Sequence, residues 1–212
     1  MQTINELDAA SATAPIAVNG KVKRPLRRPN AELRSREHLT GDEVEALLRA
    51  ARGMGRHGQR NATLLLLMFR HGLRVSEAIA LRWDAVDLKQ GLLHVTRLKH
   101  GTPSTHPLRG PELRALRALR AEWPDSPYVF CSERGGPMTS SNVRKLVAAA
   151  GVEARLPFAA HPHMLRHALG YKLASDGVDT RAIQLYLGHR SITHTAHYTA
   201  LAPGRFDGFF QD

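Results

Sequence analysis

From Thr40 onward the apolar positions recur at helical spacing, with one interruption where they alternate. Thr40-Gly41-Asp42-Glu43 is a capping-box signature ahead of Val44, Leu47 and Leu48, and predicts a helix to about Arg52. A glycine-rich turn over 53–58 leads to a second, more apolar helix over 62–69, closed at His71-Gly72 by a glycine cap. A short helix over 75–81 follows, with Arg74 at its entrance. The pattern then changes: 91–98 and 104–108 read as two strands about a Lys99-His100-Gly101-Thr102-Pro103 turn, because Val95 and Thr96 favour strand while Gly and Pro favour the bend. Pro111 opens a helix whose Leu113, Leu116 and Leu119 alternate with Arg114, Arg117 and Arg120, giving an apolar face and a basic one. Three more helices are predicted over 139–150, 164–176 and 180–187. The expected fold class is mainly α with one small antiparallel β-sheet (α+β).

Residues 1–36 lack this periodicity. They turn basic through Lys21, Lys23, Arg24, Arg27, Arg28, Arg34 and Arg36, broken by Pro25 and Pro29, and read as an N-terminal arm that could bind phosphates or simply be solvated. The remaining length suits one domain of ordinary size. Thirty Lys and Arg against nineteen Asp and Glu give a formal charge of +11, a field that attracts polyanions. The single cysteine, Cys131, excludes an internal disulfide and a cysteine-based metal site. The longest apolar run, 64–69, is too short to span a bilayer, and no signal pattern opens the chain. A cytoplasmic protein with no membrane partner is expected.

Six polar residues suggest a chemistry. Cleaving a phosphodiester builds negative charge on its non-bridging oxygens, and rate comes from donors fixed where that charge develops. The guanidinium groups of Arg74 and Arg166 suit that task, since each binds phosphate bidentately and stays ionised. Tyr198 is a candidate nucleophile. Its phenol, with an ordinary pKa of about 10, needs cations and a proton acceptor nearby, and His163 is the candidate acceptor. Lys99 on its turn could protonate the leaving 5′ oxygen as a general acid. His189 would add a hydrogen bond to the phosphate. Taken singly, each has a plain structural reading, Arg74 as a partner of Glu77, His163 as a helix-start residue and Tyr198 as a half-buried aromatic.

In this order and set the residues resemble the catalytic domain of the tyrosine recombinases, the phage integrase family, over about 40–203. The motifs that carry the resemblance are Gly72-Leu73-Arg74-Val75-Ser76-Glu77, Leu81-Arg82-Trp83 followed by Asp87, His163-Met164-Leu165-Arg166-His167, and Leu187-Gly188-His189 with Tyr198 nine positions later. Residue by residue, the resemblance implies catalytic roles for Arg74, Lys99, His163, Arg166, His189 and Tyr198. Lys99 lies on a turn poorer in basic residues than the family's usual one. The domain division expected is an arm at 1–36, the catalytic domain at 37–203 and a tail at 204–212.

The resemblance is to the short members made of a catalytic domain alone, such as the fimbrial phase-switch recombinases. It implies site-specific cutting and rejoining of double-stranded DNA through a 3′-phosphotyrosine, with no metal and no cofactor. It also implies a homotetramer on two DNA sites, with accessory DNA-bending proteins as further partners. Alternatives are a DNA-relaxing enzyme of the type IB topoisomerase kind and a non-catalytic DNA-binding remnant of a mobile element. A zinc site on His163 and His167, spaced i, i+4, is disfavoured because Met164 stands where such motifs carry glutamate and Arg166 would repel the cation. The tail holds Phe206, Phe209 and Phe210, expected to bury on this subunit or in a neighbour's groove.

Overall fold

A computed structural model describes residues 36–97 and 101–200, together with two strands, β1 (Ala17–Val18) and β2 (Lys21–Val22), that pair antiparallel with Ala17 opposite Val22. The sequence pattern gave no element in that stretch. Residues from Arg36 onward cluster as one unit and the preceding ones as another, and each is described by itself. Lys99 on its turn and the phenylalanine-bearing tail lie outside the described residues.

Helix α1 (Gly41–Gly53) starts where its sequence says it should. Thr40 Oγ1 accepts from the Glu43 amide at 3.3 Å, and Glu43 Oε2 accepts from the Thr40 amide at 2.8 Å. Arg36 also pairs with that carboxylate. Helix α2 (Gly58–Arg70) begins four residues earlier than its apolar run, and is closed by Gly72 at φ 57°. Short α3 (Val75–Ile79) and a 3-10 turn (Trp83–Ala85) lead into the sheet.

The sheet has three strands rather than the two expected: β3 (Val86–Asp87), β4 (Leu92–Val95) and β5 (Ser104–Pro107), in that order and antiparallel. Leu93 lies opposite both Val86 and His106, and Val95 opposite Ser104. Strand alternation sends Leu93, Val95 and His106 inward.

Five helices complete the unit: α4 (Gly110–Glu122), α5 (Ser140–Glu153), α6 (Pro162–Ser175), α7 (Thr180–Leu187) and α8 (Thr193–Ala200). The basic face of α4 is partly committed to structure, because Arg117 donates to the Leu88 carbonyl, and Arg120 donates to the Ser126 carbonyl and lies over the Trp83 ring. Asp179 caps α7 by accepting from the amides of Arg181 and Ala182, and Gly188 at φ 65° ends it.

Helix α6 runs through the middle. Its Met164 and Leu165 enter a core formed with Leu47, Leu64, Leu65, Met68, Leu116, Leu119 and Phe130. Its later residues, Leu169 and Ala174, join Ile183, Leu187 and Tyr198 in a second, smaller cluster that binds α7 and α8. Among the described residues no helix is long and apolar enough to cross a membrane.

Candidate active site

The left-handed turn at Gly72 brings three arginines together. A Cβ there would lie 2.5 Å from Leu187 Cδ2, so the chain reverses tightly against the end of α7. Arg74 then stands at the start of α3, its amide donating to Glu77 Oε2 at 2.9 Å and its Nη1 to Oε1 at 2.8 Å. The Glu77 carboxylate is 1 % exposed, and its Oε2 also accepts from Arg97 Nη1 at 2.9 Å. Burial pushes the Glu77 carboxyl up, but the Arg74 amide and the Arg97 guanidinium outweigh it and hold the group below its usual range. Arg166, on α6, donates to the carbonyls of Gly72 and, at 2.7 Å, Leu187. Burial, Arg74 and Arg97 push Arg166 down to about 9, still above neutrality, so it remains a cation. Arg74 keeps 28 % of its side chain exposed.

The phenol of Tyr198 packs on α6 one turn beyond Arg166. Its ring covers Gly170, where an added Cβ would meet Cε2 and Cζ at 2.6 Å, and the residue is only 2 % exposed. Its hydroxyl lies 2.9 Å from His167 Nδ1. Tyr171 meets the ring edge-on at 5.2 Å and His189 stacks at 6.2 Å. Burial raises the phenol to about 12, while Arg166 and Arg74 pull the other way, so both arginines act on it electrostatically. Burial, with His163 next, lowers His167 to about 4, so at neutral pH the imidazole is uncharged. His189 follows the Gly188 cap, and its Nδ1 lies 2.8 Å from Thr195 Oγ1. Burial and then Arg166 lower it to about 3.

Of the six residues singled out from sequence, the structure gathers Arg74, Arg166, His189 and Tyr198 about the 166–170 turn of α6. His163 is exposed on the same helix, one turn before His167, with ring centroids 6.2 Å apart. Lys99 falls outside the described residues. The phenol's hydrogen-bond partner is His167, which sequence reasoning weighed only as a zinc ligand. Among the described residues no three His, Cys, Asp or Glu side chains are grouped to hold a metal ion. Arg97 went unremarked as well. Its only sequence signal was indirect: a buried Glu77 facing Arg74 still has a second oxygen to satisfy.

Comparison with known proteins follows the same lines. The model of the phage integrase family matches residues 37–205. The Type 1 fimbriae regulatory protein FimB of Escherichia coli strain K12 is 44 % identical over 185 residues, covering 85 % of this chain and 92 % of that protein. Tyrosine recombinase XerD of Bifidobacterium longum is 32 % identical over 88 % of this chain and 65 % of its own length. Among solved structures, the crystal structure of XerA recombinase superposes with a TM-score of 0.70 at 26 % identity, covering 87 % of this chain and 67 % of that one.

Proposed function

This chain belongs to the phage integrase family, the tyrosine recombinases, and from that premise we propose that it cuts and rejoins double-stranded DNA at specific sites, with Tyr198 as nucleophile. The observation that carries the reading is the placement of one protonated phenol, bonded to a neutral imidazole, within the field of two arginines. A phenol pushed up to about 12 is protonated at neutral pH in the free protein. A scissile phosphate seated at Arg74 and Arg166 would be held by fixed cations that also stabilise the developing charge.

In the reaction the Tyr198 oxygen attacks phosphorus and the bond from phosphorus to the 5′ oxygen breaks. The phenol proton passes to the histidine pair of α6, His167 at 2.9 Å or His163 one turn earlier. Lys99 returns a proton to the departing 5′ oxygen. With Nδ1 engaged by Thr195, His189 has Nε2 left to donate to a phosphate oxygen. The products are a 3′-phosphotyrosine and a free 5′ hydroxyl. A 5′ hydroxyl from a second duplex reverses the step and joins a new partner. None of these steps calls for a metal or an organic cofactor.

A homotetramer on two DNA sites, assisted by DNA-bending proteins, is the assembly in which such exchange would occur, in a cytoplasmic setting. The basic arm at 1–36 would add phosphate contacts. Purified protein tests the reading against the topoisomerase alternative. A recombinase exchanges strands between two copies of its site and leaves a site-free supercoiled plasmid unrelaxed, whereas catalytic relaxation of the site-free plasmid would favour the alternative.

A further inference from the structure

Arg97 is a buried cation that the sequence reading passed over. It lies two positions beyond β4, its side chain is 0 % exposed, and its planar fork reaches three parts of the chain at once. Nη1 donates to Glu77 Oε2 at 2.9 Å. Nη2 donates to the His71 carbonyl at the end of α2, at 3.1 Å, and to the Tyr186 carbonyl in α7, at 2.6 Å.

Two glycines are shaped around it. A Cβ at Gly188 would lie 2.7 Å from Arg97 Cγ and 2.8 Å from its Nε, and a Cβ at Gly101 would lie 2.6 Å from Arg97 Cβ. Gly188 immediately precedes His189. The Glu77 carboxylate that Arg97 holds is the same one that receives the Arg74 guanidinium through its other oxygen. The Nη donors of Arg97 are all committed within the protein, to Glu77 and to the carbonyls of His71, Gly72 and Tyr186, so this side chain acts through others.

We propose that Arg97 is a positioning residue for strand cleavage: by clamping Glu77 from behind while pinning the Gly72 turn and the end of α7, it fixes the Arg74 guanidinium where a scissile phosphate must sit. A lysine there keeps the charge beside Glu77 but has no planar fork to reach acceptors on three elements. The glycines at 101 and 188 follow, since any side chain would collide with the clamp. The proposal rests on the reading of Arg74 as a phosphate ligand.

The test uses the full chain and a duplex bearing a cleavage sequence read from the DNA that stays attached to the wild-type protein when cells expressing it are denatured, with either a normal phosphodiester or an uncharged methylphosphonate at the scissile position. Arg97→Lys, Arg97→Met and Arg74→Ala are compared with the wild-type protein. A displaced arginine costs cleavage of the phosphodiester about tenfold in Arg97→Lys and about a hundredfold in Arg97→Met, with DNA affinity changed less than about threefold. On the methylphosphonate, which lacks the charge the arginine neutralises, all three variants recover to within about threefold of wild type. Damage to the fold would not be cured by changing the substrate. Arg97→Lys retains a cation against Glu77, so it carries the test if Arg97→Met does not fold.

Wild-type cleavage by both Arg97 variants would overturn the proposal. So would recovery on methylphosphonate by Arg74→Ala but not by the Arg97 variants. Failure of Arg74→Ala itself to recover would locate the error in the reading of Arg74, and the proposal would fall with it.

Discussion

The hydroxyl of Tyr198 makes one hydrogen bond, to a neutral His167, from a ring that packs on bare backbone at Gly170. Replacing it with phenylalanine keeps the packing and removes that single bond, so Tyr198→Phe should cost only about 1 kcal/mol in thermal or chemical unfolding while abolishing cleavage. Arg166 is different. It satisfies two buried carbonyls, of Gly72 and Leu187, besides facing the site. Arg166→Ala should therefore lower both stability, by about 2–3 kcal/mol, and cleavage, by at least about a hundredfold, read by denaturant titration and by adduct formation. Arg74, Arg166, His189 and Tyr198 were legible in the sequence because they sit in short, ordered motifs. His167 was not, since its role comes from a partner thirty-one positions away on a helix the pattern did not reveal. Arg97 was hidden for the same reason: an arginine at a strand end carries no mark of the three elements it will join.

Among the elements, α8 shows where local pattern fails. Thr193, Thr195 and Thr199 are β-branched and weak helix formers, and only Thr195 and Tyr198 of this helix are buried. It is helical because those residues dock on α6 and α7, so tertiary contact overrides propensity. The neighbouring α7 has a strong cap and a glycine stop, and its limits were read correctly as 180–187. Strand β3 escaped notice because two residues carry no period. The docking of α8 depends on the missing side chain at Gly170. Gly170→Ala should push the Tyr198 ring outward, destabilising by about 1–3 kcal/mol as an overpacked contact. Amide hydrogen exchange would show this as faster exchange over 193–200, with α2 unchanged, together with reduced cleavage.

For the whole molecule, buried titratable groups set an acid limit. Burial lowers His106 to about 3, His167 to about 4 and His189 to about 3, all below the ordinary value of 6.5. Between pH 6.5 and about 4 the unfolded chain binds protons at these sites that the folded one refuses. Stability therefore falls as pH drops through that window, by roughly 1.4 kcal/mol per pH unit for each fully uncoupled group. Below about 4.5 the depressed carboxyls of Glu77 and Glu112 add to the loss in the same direction. Melting temperature measured against pH should be flat between pH 7 and about 8 and decline steeply below 6; a maximum near pH 5 would contradict this account. The +11 charge acts at the same scale on DNA. Deleting residues 1–36 should weaken DNA binding and flatten its dependence on salt, because fewer counterions are released, and unchanged binding would exclude a role for the arm.

The central claim is that Tyr198 becomes joined to DNA. Cells expressing the wild-type chain or Tyr198→Phe are denatured, protein-linked DNA is recovered, and the attached ends are sequenced. The account predicts 3′-linked adducts at a small set of related sequences with the wild-type chain and none with the variant. Equal adducts from Tyr198→Phe would contradict the assignment of the nucleophile, and adducts scattered without sequence relation would contradict site-specific recombination.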